Sequence, residues 1–220
     1  MRDRRNALET LNLAIQDCEK CRLHLTRTHA LCGEGNLRAR LMLVAQAPGD
    51  TEDREGRMFI GPSGQVLDAL LDETEVSRNE IYMTNLIKCR LPGYRKPKQD
   101  EIEACSRFLE QEIALIAPEV IAPLGYYATR YIFERYNISL SKTKAEFPNF
   151  FGRLFLARNQ KVFPLPHPAA LLYNRSFKPA TLEKYRKLKV LSRECTYSLK
   201  PSCENGQLDR DWVEIDFEGG

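Results

Sequence analysis

LMLVAQAPGDTEDREGRMFIGPSG, residues 41 to 64, joins a short apolar run to a polar loop punctuated by glycines. Its apolar opening, Leu41 to Val44, is preceded by Arg38 and Arg40 and followed by Pro48-Gly49. A short apolar run bounded in this way reads as a buried strand ending in a tight loop. The loop carries Gln46, Asp50, Glu52 and Asp53, then Phe59 and the glycines Gly61 and Gly64. Open α/β sheets place their ligands in polar loops that leave the ends of buried strands. Taken alone, the same residues also suit a surface loop of solvated carboxylates.

Working outward, Asn6 to Ala14 has the apolar spacing of an amphipathic helix, and Gln65 to Leu71 reads as a helix behind Gly64. Glu80 to Ile87 is rich in apolar and β-branched residues and predicts a second strand. The basic stretch Leu91 to Pro97 holds two prolines, which exclude regular helix. A helix is predicted over 100–117, a strand over 119–124, a helix over 126–136, a strand over 161–165 shortened by Pro164 and Pro166, and a basic helix over 179–191. Strands alternating with helices imply a three-layer α/β/α sandwich around a central, mainly four-stranded parallel sheet. Gln46, Asn85, Gly125 and His167 then fall at carboxyl ends of strands, and their loops meet on one rim. No internal repeat is present.

At 220 residues and 43% hydrophobic, the chain suits one domain with a full core, expected over residues 1–191. Residues 192–220 read as an acidic extension containing the apolar residues Trp212, Val213, Ile215 and Phe217. No apolar run approaches the roughly 18 residues of a membrane span, and the charged start is unlike a signal peptide, so a soluble cytoplasmic protein is expected. The net charge of +3 divides unevenly: residues 204–220 carry −5 and residues 1–203 carry +8. A basic body is compatible with a polyanionic partner, although solvated basic faces are ordinary.

Seven cysteines in a chain without a secretion signal argue for metal or reactive thiols over disulfides. Cys18 and Cys21 form a C-x2-C pair, and 15 residues separate Cys89 from Cys105. Four such thiolates make a closed cage for either zinc or an iron–sulfur cluster, and spacing alone does not choose. Cys32, Cys195 and Cys203 are left as bystander thiols.

Ala45-Gln46-Ala47-Pro48-Gly49, the acids Glu52-Asp53, and Gly56-Arg57-Met58-Phe59-Ile60-Gly61 together resemble the first motif of the family 4 uracil-DNA glycosylases. Thr84-Asn-Leu-Ile-Lys-Cys-Arg90 is similar to that family's Thr-Asn-Val-Val-Lys-Cys-Arg, and His167-Pro-Ala-Ala-Leu-Leu172 to its second motif. The resemblance implies a [4Fe–4S] cluster on Cys18, Cys21, Cys89 and Cys105, tying the N-terminal helix to the loop after Arg90. It also implies an enzyme that flips uracil out of DNA and hydrolyses its N-glycosidic bond, beginning base-excision repair. Nucleoid-associated work in a prokaryotic cytoplasm, as a monomer on single- or double-stranded DNA, is expected of it.

Specific roles follow from the same resemblance. Phe59 would stack on the base, and Asn85 would pair with its imide edge, because a carboxamide offers both a donor and an acceptor. Without the resemblance, a core aromatic and a strand-end Asn are the ordinary readings of these two. His167 would donate to O2 as negative charge develops on the leaving base. Ala47 stands where the related family 1 enzymes have a water-orienting Asp, which leaves Glu52 and Asp53 as candidates for the water. Gln46, Ala47 and Gly49 would line the base site. Gln46 replaces the usual Glu and Ala45 the usual Gly, two departures that bear on rate and base preference. Arg90, Arg95, Lys96, Lys98 and Arg175 would meet phosphates, and Leu171, Leu172 or Tyr173 would fill the gap left by the base. Tyr173 stands where the family commonly has Arg.

These motifs contain no evident Schiff-base lysine, which predicts a monofunctional enzyme. Other readings are the same fold acting on hypoxanthine or xanthine, a non-catalytic uracil or DNA binder, and a zinc-stabilised nucleotide-binding domain. Covalent capture of uracil is disfavoured by Ala47 and the short segment before His167.

Overall fold

The computed structural model describes residues 2–139, 146–193 and 212–215. In chain order the elements are α1 (Arg2–Gln16), β1 (Glu34–Gly35), β2 (Leu41–Ala45), α2 (Asp50–Glu55), α3 (Pro62–Glu73), β3 (Ile81–Asn85), α4 (Gln99–Ile116), β4 (Val120–Pro123), α5 (Tyr126–Arg135), β5 (Leu154–Ala157), β6 (Gln160–Val162), α6 (Ala170–Tyr173), α7 (Lys178–Arg193) and β7 (Trp212–Ile215). They form a seven-stranded sheet of order β1-β3-β2-β4-β6-β5-β7. The inner strands β3, β2, β4 and β6 are mutually parallel, the four expected from sequence. The outer strands β1, β5 and β7 run antiparallel to their neighbours.

The side chains of β2 alternate between two cores, which is what gives the fold its layers. Met42 and Val44 join Leu8, Leu11 and Ile15 of α1, Leu109 and Ile113 of α4, and Ile132 and Phe133 of α5. Leu41, Leu43 and Ala45 join Leu67, Leu70 and Leu71 of α3 with Leu182, Tyr185 and Leu188 of α7. Both faces of β2 are therefore covered, and a central parallel strand must then be apolar at every position. That requirement explains why the opening run of the motif does not alternate. Among the described residues, no helix is long and apolar enough to cross a membrane.

Several expectations are corrected in detail. The acidic loop contains the six-residue helix α2, entered from Gly49 and closed by Gly56 in the left-handed region (φ 70°). Regular pairing in β6 ends at Val162, short of the predicted Leu165. The chain nevertheless stays on β4 through Phe163 N–H to Ile121 O and Leu165 N–H to Pro123 O, each 2.9 Å. Pro164 and Pro166 alternate with those donors, so their missing N–H groups cost the pairing with β4 nothing. Strand β5 was not predicted. It is a four-residue strand joined to β6 by Arg158-Asn159, both at positive φ, the requirement of a two-residue primed turn. The predicted acidic extension contributes β7, paired with β5 along residues 154–157. Cys195, Cys203 and the acids of residues 204–211 and 216–220 lie outside the described residues.

Candidate active site

The carboxyl rim of the parallel strands encloses a cavity of about 600 Å³. Gln46, Ala47, Gly49, Glu52, Phe59, Asn85 and His167 all line it, so the predicted base-site residues converge from three separate segments. The junction is held by the backbone. Leu86 N–H donates to Ala45 O (2.8 Å) and Ile87 N–H to Gln46 O (2.9 Å), which carries the β2–β3 pairing past the strand ends and into the motif loop. Ala45, the departure from glycine, contributes its methyl to the core on the α3 side.

Phe59 is held in an unusual backbone conformation. Its φ is +52°, uncommon for a bulky residue, and its ring is buried. The following turn is pressed against it: a Cβ on Gly64 would stand 1.9 Å from the Phe59 carbonyl oxygen, so only glycine fits there. Arg78 Nη2 donates to that same oxygen at 2.6 Å, while Arg78 Nε pairs with Asp68 on α3. Sequence reasoning missed Arg78. The signal was present, since Ser77-x-x-Glu80 forms a capping box in the turn before β3. The Phe59 and His167 rings lie 6.3 Å apart between centroids, at 32°.

His167 follows the extended segment after β6. Gly125, with φ of 79°, gives it room: a Cβ there would come within 3.1 Å of the His167 Cβ. His167 Nδ1 accepts the backbone N–H of Ala169 at 3.1 Å. A neutral ring accepting at Nδ1 carries its proton on Nε2, so the hydrogen-bond pattern assigns the tautomer. Burial holds the imidazole down at about 4, from an ordinary 6.5. At neutral pH, His167 is an uncharged Nε2–H donor.

The two adjacent acids separate. Glu52 lines the cavity, and its Oε1 accepts Gly61 N–H at 2.8 Å, bridging the two ends of the motif loop. Asp53, predicted beside it as a catalytic group, is absent from the lining. Both of its carboxylate oxygens accept Thr28 N–H at 3.0 Å, and Arg90 stands 3.6 Å away, so its geometry is that of a strut to the N-terminal segment. The rotation of about 100° between successive residues of an α-helix turns one acid towards the cavity and the other away. Asp50, in contrast, lines the cavity and takes hydrogen bonds from Tyr94 and Arg90. Asn85 is buried, with Nδ2 directed to Met58 Sδ at 3.2 Å.

The predicted DNA contacts divide likewise. Lys96, Lys98 and Arg175 are exposed. Arg90 is engaged by Asp50 and Asp53, and Arg95 by Glu101. Leu171 is buried in the core on the α3 and α7 side, which removes it as a wedge. Leu172 is 48% exposed and Tyr173 is 88% exposed, and both line the mouth of the cavity.

Cys18, Cys21, Cys89 and Cys105 line one small separate cavity with Arg27 and Lys88, and all four are free thiols. Lys88 N–H donates to Cys105 Sγ at 3.2 Å, and Arg27 Nη1 approaches Cys89 Sγ at 3.4 Å. Arg27 also donates to Cys18 O (2.6 Å) and Gln16 O (2.7 Å), tying the C-x2-C segment down. Four sulfurs around a common space, with N–H donors directed at two of them, fit a group held by thiolates. Among the described residues, no three His, Cys, Asp or Glu side chains are gathered as a single-ion site.

The family model described as the Uracil DNA glycosylase superfamily matches residues 32–189. The chain is 37% identical to the Type-4 uracil-DNA glycosylase of Sulfurisphaera tokodaii, over 85% of this chain and 86% of that protein. It is 40% identical to the Type-4 uracil-DNA glycosylase of Saccharolobus solfataricus, over 80% of this chain and 82% of that one. To the Type-4 uracil-DNA glycosylase of Thermotoga maritima it is 37% identical, over 80% and 88%. With the motif residues converging on one cavity and a match of this extent, the chain belongs to the uracil DNA glycosylase superfamily, among its type-4 members.

Proposed function

We propose that the protein is a monofunctional uracil-DNA glycosylase, acting as a monomer on uracil-containing DNA and leaving an abasic site. The observation that carries this reading is the convergence of Phe59, Asn85 and an Nε2-protonated His167 on one cavity. A base must leave the duplex to enter such a pocket, and its edge is then read by hydrogen bonds. Phe59 stacks on the flipped base. Asn85 has one amide hydrogen on Met58, and its carbonyl and second amide hydrogen serve the imide and O4 edge of uracil. Cytosine presents donor and acceptor in the opposite order there.

As the C1′–N1 bond breaks, the bonding pair goes to the base and positive charge develops on the sugar. Nε2–H of His167 donates to O2 as it becomes anionic, and a removed donor of this kind costs roughly 10²–10³ in rate. Water then adds to C1′ and gives up its proton to solvent, from which the departing uracil anion is protonated. Of the carboxylates on the cavity wall, Asp50 is engaged by Tyr94 and Arg90, which leaves Glu52 for positioning that water, while Asp53 serves as a strut. Gln46 lies in the same wall and supplies an amide in place of a charge.

A [4Fe–4S] cluster would be held by Cys18, Cys21, Cys89 and Cys105, supplying a structural tie between the N-terminal segment and residues 90–98. Lys96, Lys98 and Arg175 would meet phosphates.

The test is single-turnover base release from oligonucleotides carrying uracil, hypoxanthine or xanthine. Strand breaks from the uracil substrate only after alkali are the expected result. Release of hypoxanthine or xanthine without uracil would move the reading to an altered base, with Gln46 as the reason. Breaks without alkali would overturn the monofunctional assignment.

A further inference from the structure

The cavity mouth carries two aromatic side chains that the base-release chemistry does not use. Tyr94 is 74% exposed and Tyr173 is 88% exposed, and both line the cavity with half-exposed Leu172 between solvent and pocket. They arrive from different segments: Tyr94 from the loop after β3, Tyr173 from the end of α6. Large aromatics left in water beside a pocket form an apolar surface of the kind that marks an interaction site.

Tyr94 is held there against local preference. It adopts φ of +53°, immediately after Gly93 at +62°, so two successive residues stand in the left-handed region. Such a conformation in a bulky residue persists only where surrounding contacts determine it. Here the contact is its hydroxyl, which donates to Asp50 on the motif loop, and Asp50 is held in turn by Arg90. The Asp50 hydrogen bond, first among the causes, raises the Tyr94 phenol above its ordinary pKa of 10, and both Tyr94 and Tyr173 stand on the wall of one cavity. Exposed cations accompany both rings: Lys96 and Lys98 on the first segment, Arg175 on the second.

We infer that Tyr94 and Tyr173 form a stacking platform for the unpaired bases flanking the extruded nucleotide, so that this chain takes single-stranded DNA in preference to duplex. This rests on the reading of the cavity as a base pocket. An aromatic ring meets a base face at full strength only where that base has left its own stack, and in duplex each flanking base must first be unstacked at a cost. Single strands offer those faces without that cost, while exposed lysines and arginine follow the backbone.

The experiment measures affinity of the full chain for short labelled oligonucleotides containing one tetrahydrofuran abasic site, single-stranded and as duplex. No uracil is present, so the result stands whether or not the protein releases uracil. Tyr94→Ala and Tyr173→Ala should each weaken single-strand binding about tenfold, with duplex binding changed less than about twofold. Tyr94→Phe keeps the ring and loses the Asp50 bond that holds it, and should bind single strands more weakly than wild type but more tightly than Tyr94→Ala. A second arm leaves the protein untouched: replacing the flanking nucleotides by further abasic spacers should erase the single-strand preference. Equal losses on both DNA forms, a Tyr94→Phe variant as weak as Tyr94→Ala, or unchanged affinity for the abasic-flanked strand would each overturn the platform.

Discussion

The base cavity and the cysteine cavity stand at the two ends of one short segment, Asn85 to Cys89, and are held in contrasting ways. In the first, each working group is oriented by the chain's own hydrogen bonds: His167 by Ala169, Phe59 by Arg78, Glu52 by Gly61. The second is assembled across distant parts of the chain, with two sulfurs from the segment after α1 meeting two from the β3–α4 region. Apolar packing of α1 and the bonds of Arg27 hold that N-terminal half in place. The first site is set by folding, whereas at the second the proposed cluster would tie the two halves together. Loss of such a group should loosen the protein and residues 90–98 before it disturbs the pocket.

Lys88 couples the two regions. It is 1% exposed and ion-paired to fully buried Glu112, which also accepts Thr84 Oγ1–H at 2.7 Å and Gly33 N–H at 3.0 Å. Lys88→Met leaves a buried carboxylate unpaired, so urea unfolding should show a loss of about 3–5 kcal/mol. Adding Glu112→Leu should recover part of it, and no recovery would mean the pair is not the coupling element. Arg78→Met addresses the pocket alone. It removes a charge-assisted bond to the Phe59 carbonyl worth about 1.5–3 kcal/mol, and base release should slow about tenfold or more with the iron content unchanged. Cys18→Ser addresses the other region. Iron analysis, thermal melting and DNA titration should show lost iron, a lower Tm and about tenfold weaker DNA binding. The His167 dependence of whatever base release remains should be unaltered.

The smallest expected effect is in pH. With the His167 pKa held at about 4, the single-turnover rate should show no inflection near 6.5 and should fall only as pH approaches 4. The stability sign follows. Between 6.5 and about 4 the unfolded chain binds a proton that the native ring does not, so His167 removes stability as pH falls through that window. An inflection near 6.5 that vanishes in His167→Ala would contradict the neutral, half-buried imidazole.

The alternating pattern made the parallel core legible, because β2, β3 and β4 are short apolar runs separated by long helices. What stayed hidden was short or conditional. Strand β1 has two residues, β5 has four, and β7 exists only by pairing with β5. The residues lining the cavity were legible by motif: Gln46, Asn85 and His167 stand at or beyond strand ends, and Phe59 lies in the glycine-bounded loop between α2 and α3. The separation of Glu52 from Asp53 was not, because a six-residue helix inside an acidic loop has too few apolar positions to show a period. The role of Arg78 depends on the left-handed turn at Phe59, which side-chain pattern does not encode.

The most direct test of the account is single-turnover uracil release by wild type and by His167→Ala, with enzyme in excess and the iron–sulfur content of both proteins matched. A rate about 10²–10³-fold slower is expected in the variant, with affinity for abasic DNA within about twofold. Equal rates would show that the neutral His167 donor is not the group that stabilises the leaving base.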